Sequence, residues 1–213
     1  LQALRLSAAH LKSPKISGLP PLTGGLVGFM GYDVVRRLEK LPSFATKDIP
    51  LPELSFMLTS DLAVMDHSDG TITLIANAIN WDGSDDRIDE AYASCIKRLD
   101  RMQLDLSISL PGDSTAIPDF SLPDYTGNVS AEEYKKNIAQ VKEEILAGEA
   151  FQVVLSQRFA MPCSADAIDV YRMLRLNNPS PYMYLFRFND GIEIVGSSPE
   201  ALVKVNQEDV MIH

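Results

Sequence analysis

Two short motifs near the end of the sequence could carry chemistry. Residues 178–183 read Asn-Pro-Ser-Pro-Tyr-Met, and residues 196–200 read Gly-Ser-Ser-Pro-Glu. The prolines of the first motif fix φ and lack a backbone donor, so the chain should enter a strand from a stiff corner. Pro199 cannot continue a strand ladder, so pairing should end just before Glu200. A carboxylate just beyond a strand end is a candidate catalytic group, although this spacing alone is more typical of a hairpin with an exposed glutamate.

A second candidate is Gln152, an amide in the otherwise apolar run 151–159, which is predicted to be a strand. A buried amide costs free energy unless it is hydrogen-bonded, so it needs a partner in the fold or in a ligand. An edge-strand glutamine that faces water explains the same residue equally well. The run therefore leaves both interpretations open.

Several other patterns have simpler structural explanations. The glycine-rich segment 24–31 lacks the Gly-Lys-Ser/Thr sequence of a phosphate loop. Its pattern favours a strand whose glycines allow another backbone to approach closely. The acidic residues across 82–90 lack the calcium-loop pattern. They indicate the solvent-exposed N-terminus of a helix, where carboxylates complement the helix dipole. The histidines and cysteines have no metal-ligand spacing, and both thiols are expected to be buried. These residues are His10, His67, His213, Cys95 and Cys163.

The elements that must position these groups follow from periodicity. A helical pattern opens the chain, and strand-like runs at 56–65 and 71–79 flank turn residues at 67–70. From Asp85 the apolar residues recur every three or four positions, as on an amphipathic helix. A hairpin followed by a helix favours α+β layering.

The second half of the chain begins after a stretch rich in proline and glycine. We place a linker at 108–128, between a first domain at 1–107 and a second at 129–213. Ser130 and Glu133 form a capping-box pattern that starts a helix, which Gly148 should end. A further helix is predicted at 165–176, and strands at 182–188 and 192–196 around a turn.

Composition excludes some classes of function. The chain has 213 residues, a formal charge of −10 and a pI near 4.7. This excess of acidic residues argues against a nucleic-acid partner, because phosphate binding would need a clustered basic face on the protein. No apolar run is long enough to cross a bilayer, and no secretory leader is recognised. We therefore predict a soluble, cytoplasmic chain that is long enough to bury a sizeable core.

The runs 151–159, 178–183 and 195–200 resemble, in order and spacing, motifs of the chorismate-utilising enzymes. Residues 24–36 resemble the signature of the N-terminal domain of that family, so the resemblance covers essentially the whole chain. It implies an α+β fold of packed β-sheets with outer helices, incomplete at both ends. It also implies the tail of an N-terminal domain joined to the first part of a chorismate-binding catalytic domain.

The resemblance implies a lyase reaction in which chorismate and ammonia give anthranilate and pyruvate, in tryptophan biosynthesis. Glu200 matches the carboxylate that donates a proton to the leaving C4 hydroxyl, and it must be held protonated to do so. Gln152 matches the position at which water-adding relatives carry a lysine base. A neutral amide cannot deprotonate water, but it can orient ammonia, so Gln152 favours amination over hydration.

The resemblance also implies partners. Ammonia would come from a glutamine amidotransferase subunit, in a hetero-oligomer, and Mg²⁺ would bind through residues outside this chain. Pro181, Tyr182 and Met183 match the segment that lines a tryptophan feedback pocket, although the Leu-Leu-Glu-Ser motif of the opposite wall is not found. A proline-led strand entry packed in the core explains the same three residues.

Two alternatives remain. Enzymes that place ammonia at C4 to form aminodeoxychorismate share the glutamine and the glutamate, although they resemble the 178–183 motif less often. A non-catalytic binding or regulatory module is the alternative from another class. In either case the chain by itself is expected to be inactive.

Overall fold

The computed structural model describes residues 1–44, 46–110, 124–206 and 209–212. Helices and short antiparallel sheets alternate, which confirms the α+β class. The chain divides into two compact units, Leu1–Ser114 and Thr115–His213. The elements in order are α1 Gln2–His10, β1 Gly25–Met30, a 3₁₀ helix Tyr32–Arg37, β2 Leu54–Thr59, β3 Asp61–Asp66, β4 Thr71–Ala76, α2 Ile88–Ser107, β5 Thr126–Gly127, α3 Ala131–Leu146, β6 Phe159–Ala160, α4 Ala167–Asn177, β7 Tyr182–Arg187, β8 Glu193–Ser198, β9 Lys204–Asn206 and β10 Asp209–Met211.

In the first unit, β1 pairs with β2 and β3 pairs with β4, while α2 packs against β4. The predicted single strand at 56–65 is wrong, because the run divides at Ser60 into β2 and β3. The Ser60 carbonyl accepts both the backbone N–H and the side-chain amide of Asn77, each at 2.9 Å. A long-range partner therefore breaks a run whose local pattern is continuous.

The glycine-rich segment is a strand, as the structural interpretation predicted. Gly28 pairs with Phe56, and a Cβ at Gly28 would lie 2.0 Å from the Ser55 carbonyl oxygen. No side chain fits in that space, so the glycine allows the close approach of the two backbones.

In the second unit, the Ser130 side chain caps α3 by accepting the backbone N–H of Glu133 at 3.2 Å, as predicted. Gly148, with φ at +83°, follows the end of that helix. The predicted linker 108–128 includes β5 at its end, and residues 111–123 of it lie outside the described residues. The domain boundary stays a prediction.

The buried core is small, contrary to the expectation from chain length. Among the described residues, the buried hydrophobic side chains are Val34, Cys95, Ala167 and Phe188. Within the described ranges every sheet has two strands, so each hairpin leaves much of its apolar surface without a neighbour. Cys163 is exposed in the loop before α4, so the prediction that it is buried is wrong. Of the helices in the described ranges, none has the length and apolar character needed to cross a bilayer.

Candidate functional site

The β7–β8 hairpin forms the framework of the candidate site. Its strands run antiparallel, and the register places Tyr182 opposite Ser198. The turn forms as predicted, with Gly191 at a φ of +82° and the Ile192 N–H donating to the Asp190 carboxylate at 3.2 Å. Helix α4 packs against both strands, so the hairpin is supported on one face.

Glu200 lies two residues beyond the end of β8, as the sequence predicted. Pro199 stops the ladder, and the Ser198 hydroxyl donates to the Glu200 carbonyl oxygen at 3.0 Å across the bend. The Glu200 side chain is exposed, and its carboxylate makes no ion pair or hydrogen bond with the described part of the chain. This carboxylate is therefore accessible to a ligand.

The three residues predicted to meet tryptophan lie at the same end of this pair of strands as Glu200. Tyr182 and Met183 begin β7, and Pro181 precedes them in the corner that follows α4. Tyr182 is 44% exposed, whereas Met183 is half-buried. Because Tyr182 pairs with Ser198, the structure brings this segment close to the backbone that presents Glu200.

The position of Gln152 differs from the prediction. The run 151–159 was predicted to be a strand, but only Phe159 of it lies in one, in the two-residue strand β6 that pairs with β5. A strand requires a neighbour that satisfies its backbone groups, and no described strand lies beside residues 151–158. Gln152 is exposed, as is Phe151 before it.

Hydrogen bonds attach the later part of this run to the entrance of α3. The Gln157 side-chain amide donates to the Val129 carbonyl at 2.9 Å, and the Arg158 N–H donates to the Asn128 side chain at 2.8 Å. The structure therefore places residues 181–183 and Glu200 at one end of the β7–β8 hairpin, whereas Gln152 lies outside this hairpin, between α3 and β6. The convergence of Gln152 and Glu200 on one ligand stays a prediction.

The acidic residues near Asp82 form a helix entrance, as expected. The pKa of Asp82 is lowered to about 2, first by the backbone N–H of Ser84 and then by the Arg87 side chain. The pKa values of Asp66 and Asp69 are lowered by hydrogen bonds from the hydroxyls of Ser68 and Thr71, in the turn between β3 and β4. In the residues that the structure describes, no three His, Cys, Asp or Glu side chains come together in a way that could hold a metal ion.

The sequence reasoning missed a polar network in the first unit. The Arg98 guanidinium pairs with Asp61, donates to the Asn77 carbonyl at 2.8 Å and contacts the Cys95 thiol at 3.1 Å. The hydrogen bond to Asp61 raises the pKa of Arg98. Asn77 in turn donates to the Thr23 carbonyl at 2.7 Å. The spacing of Cys95 and Arg98, one turn apart on α2, was the only local signal of this network.

The predicted site residues do not line any of three sizeable cavities in the described part of the chain. Three cavities of about 430, 310 and 590 Å³ all lie in the first unit. The 430 Å³ cavity lies between α2 and the segment after β4, with Trp81 and Tyr92 among its lining residues. Its walls are mainly apolar, and the sequence analysis did not predict it.

Similarity to known proteins agrees with the motifs. A family model described as chorismate binding enzyme matches residues 2–213. A relative from Mycolicibacterium smegmatis named anthranilate synthase component 1 is 49% identical over 100% of this chain and 41% of its own length. A relative of the same name from Arthrobacter globiformis is 44% identical over 100% of this chain and 41% of its own length. The chain therefore spans about two fifths of these relatives.

A solved structure agrees at the level of the fold. The crystal structure of anthranilate synthase component I from Streptococcus pneumoniae matches with a TM-score of 0.80 and 30% identity, over 97% of this chain and 46% of that one. The family match, the similar fold and the ordered motifs on the β7–β8 hairpin all lead to one assignment. The chain belongs to the chorismate-binding enzyme family.

Proposed function

We propose that this chain is part of an enzyme that converts chorismate and ammonia into anthranilate and pyruvate in tryptophan biosynthesis. The observation that carries the proposal is the identity of 44–51% to relatives named anthranilate synthase component 1. The motifs that contain Gln152 and Glu200 are the ones on which the sequence resemblance depends. Because the chain spans 41% of such a relative, the activity belongs to the whole protein.

Glu200 is the proposed proton donor. Hydroxide is a poor leaving group, so the C4 hydroxyl of chorismate departs as water when a nearby acid supplies a proton. The ammonia nitrogen then bonds to C2 as the ring double bonds shift, and the later loss of pyruvate leaves an aromatic ring. The exposed position of Glu200 just after β8 supports this role, since its carboxyl group is accessible to a ligand.

Gln152 is the proposed orienting group for ammonia. Its side-chain carbonyl can accept an N–H of ammonia, which leaves the nitrogen lone pair directed at the ring. The amide cannot remove a proton from water, so hydration is not assisted. The apolar side chains beside it, Phe151 and Val154, are 104% and 82% exposed and support a neighbouring strand for this segment in the whole protein.

The metal and the partners follow from the same proposal. The described residues do not fit a Mg²⁺ site, because no suitable group of ligands comes together among them. We therefore assign the Mg²⁺ ligands to other parts of the whole protein and derive no step through the metal. A glutamine amidotransferase subunit would supply ammonia in a cytoplasmic hetero-oligomer, and tryptophan would bind as an inhibitor beside Pro181, Tyr182 and Met183.

The experiment is a fluorescence assay for anthranilate. The full-length protein, supplied with chorismate, Mg²⁺ and ammonia, should produce anthranilate, and Glu200→Gln should lower kcat by at least about 100-fold. The matched control is Glu193→Gln on the same hairpin, which removes an exposed carboxylate that accepts from Arg187 at 2.7 Å. That variant should keep activity within about twofold of the original. Near-normal turnover by Glu200→Gln would remove Glu200 from the mechanism.

Product identity separates the alternatives. Amination at C4 would give aminodeoxychorismate, which chromatography distinguishes from anthranilate. The names of the relatives favour anthranilate. Tryptophan binding without any turnover by the full-length protein would instead support a regulatory module. The chain of 213 residues alone should give no product.

A further inference from the structure

Two side chains attach the run that carries Gln152 to the start of α3. The Gln157 amide donates to the Val129 carbonyl oxygen at 2.9 Å, and the Tyr134 hydroxyl donates to the Leu155 carbonyl oxygen at 3.4 Å. The two bonds join residues that lie 28 and 21 positions apart in the sequence. The chain from position 155 onward therefore has a fixed place against the beginning of this helix.

The earlier part of the run is held less firmly. In the described part of the chain, residues 151–154 belong to no strand and their side chains make no hydrogen bond. Leu155 and Gln157 are half-buried, whereas Ser156 between them is exposed, which is the alternation of an extended chain. Continued back along the run, this alternation places the Gln152 side chain on the face turned away from α3.

The Gln157 amide is closely packed where it meets the segment before α3. A Cβ at Gly127 would lie 3.3 Å from the Gln157 Nε2 atom and 3.2 Å from the Val129 carbonyl oxygen. Both distances are tighter than ordinary contact, so the glycine leaves the space in which this hydrogen bond forms. Truncation of Gln157 would release the run from this segment and leave the Val129 carbonyl without its donor.

We propose that Gln157 is a positioning residue that fixes the placement of Gln152 toward ammonia. The inference rests on the proposed function, in which the Gln152 carbonyl accepts an N–H of ammonia. The two glutamines lie on opposite faces of the run, so Gln157 acts through the backbone and does not itself contact ammonia. Ammonia is small and is oriented by few hydrogen bonds, so a displacement of Gln152 by about 1 Å should impair its attack far more than it impairs chorismate binding.

The test is a steady-state kinetic analysis of the full-length protein, with ammonia varied at saturating chorismate and anthranilate followed by its fluorescence. Gln157→Ala should lower kcat/KM for ammonia by about fivefold, the factor that one ordinary hydrogen bond supplies. The KM for chorismate should stay within about twofold of the original value. The matched control is Gln140→Ala, which removes an exposed glutamine of α3 and should leave both constants within about twofold.

Two further substitutions at position 157 separate the hydrogen bond from the volume of the side chain. Gln157→Lys keeps an N–H donor of similar reach, so kcat/KM for ammonia should stay within about twofold of the original value. Gln157→Glu keeps the length, but its ionised carboxylate has no proton to donate, so it should match Gln157→Ala. Equal values for Gln157→Lys and Gln157→Glu would overturn the proposal.

A double-mutant cycle shows whether Gln157 acts through Gln152. In the Gln152→Ala background, Gln157→Ala should change kcat/KM for ammonia by less than about twofold, because the group that it positions is already absent. A general structural loss would instead lower this value by the same factor in both backgrounds, and that result would overturn the proposal.

The outcomes separate this inference from the proposed function. An unchanged kcat/KM for ammonia in Gln157→Ala would overturn the positioning role while anthranilate formation stands. An unchanged value in Gln152→Ala would remove the orienting role of Gln152, and the positioning role with it. Absence of anthranilate from the original protein would overturn the proposed function itself.

Discussion

Replacement of Gly28 by alanine should break the β1–β2 sheet of the first unit. The new methyl group would lie 2.0 Å from the Ser55 carbonyl oxygen and 2.8 Å from the Phe56 Cα atom. Ordinary contact begins at 3.4 Å, so the facing strand would have to retreat by about 1.4 Å. A displacement of that size takes the ladder hydrogen bonds well outside their normal range.

The expected loss of stability can be estimated from these distances. Forced overpacking costs about 1–3 kcal/mol, and each lost hydrogen bond about 1 kcal/mol more. We therefore expect Gly28→Ala to lower the free energy of unfolding by about 3 kcal/mol. In a unit of about a hundred residues this corresponds to a fall in Tm of roughly 12–24 °C.

The assay is thermal unfolding of the chain followed by circular dichroism. Gly31→Ala is the matched control, because its Cβ would meet the Glu53 carbonyl oxygen at 3.2 Å and needs only a small adjustment. The control should lose less than about 1 kcal/mol. If Gly28→Ala unfolded at the same temperature as the original chain, the close approach of these two strands would be refuted.

Three other predictions concern single side chains. The pKa of Asp82 is lowered to about 2, so its ionised carboxylate stabilises the turn fully above pH 3.8, and this stabilisation is lost as the pH falls toward 2. An NMR titration of this carboxyl group with a midpoint near 3.8 would contradict the geometry. Ser130→Ala removes the cap of α3 and should cost about 1 kcal/mol in urea unfolding, and an unaltered midpoint would mean that the cap contributes nothing. In the full-length protein Gln152→Lys should divert some chorismate to isochorismate, and chromatography that finds none would count against the orienting role of the amide.

Features specified by neighbouring residues could be predicted from the sequence. The turn at Gly191 requires a left-handed φ, and the cap at Ser130 requires a hydroxyl three residues before a backbone N–H, so both signals are local. The position of Glu200 follows from Pro199, which ends the strand because proline has no backbone N–H to donate to the ladder. The β7–β8 hairpin and its link to Glu200 were therefore predictable.

Features that depend on distant partners could not be predicted. The break at Ser60 is fixed by Asn77, seventeen positions later in the sequence. The run around Gln152 has an apolar pattern typical of a buried strand, yet pairing depends on a neighbour that the pattern does not specify. Cys163 was expected to be buried because of its residue type, but its side chain is exposed in the loop before α4, and residue type alone does not specify the packing around a loop.

The most direct measurement is a crystal structure of the full-length Glu200→Gln protein with chorismate bound. The proposed function predicts that side chain 200 lies within about 3.2 Å of the C4 hydroxyl, with the Gln152 amide beside C2 of the same ring. A bound ring that touches only one of these two side chains, with the other on a separate surface of the protein, would contradict it.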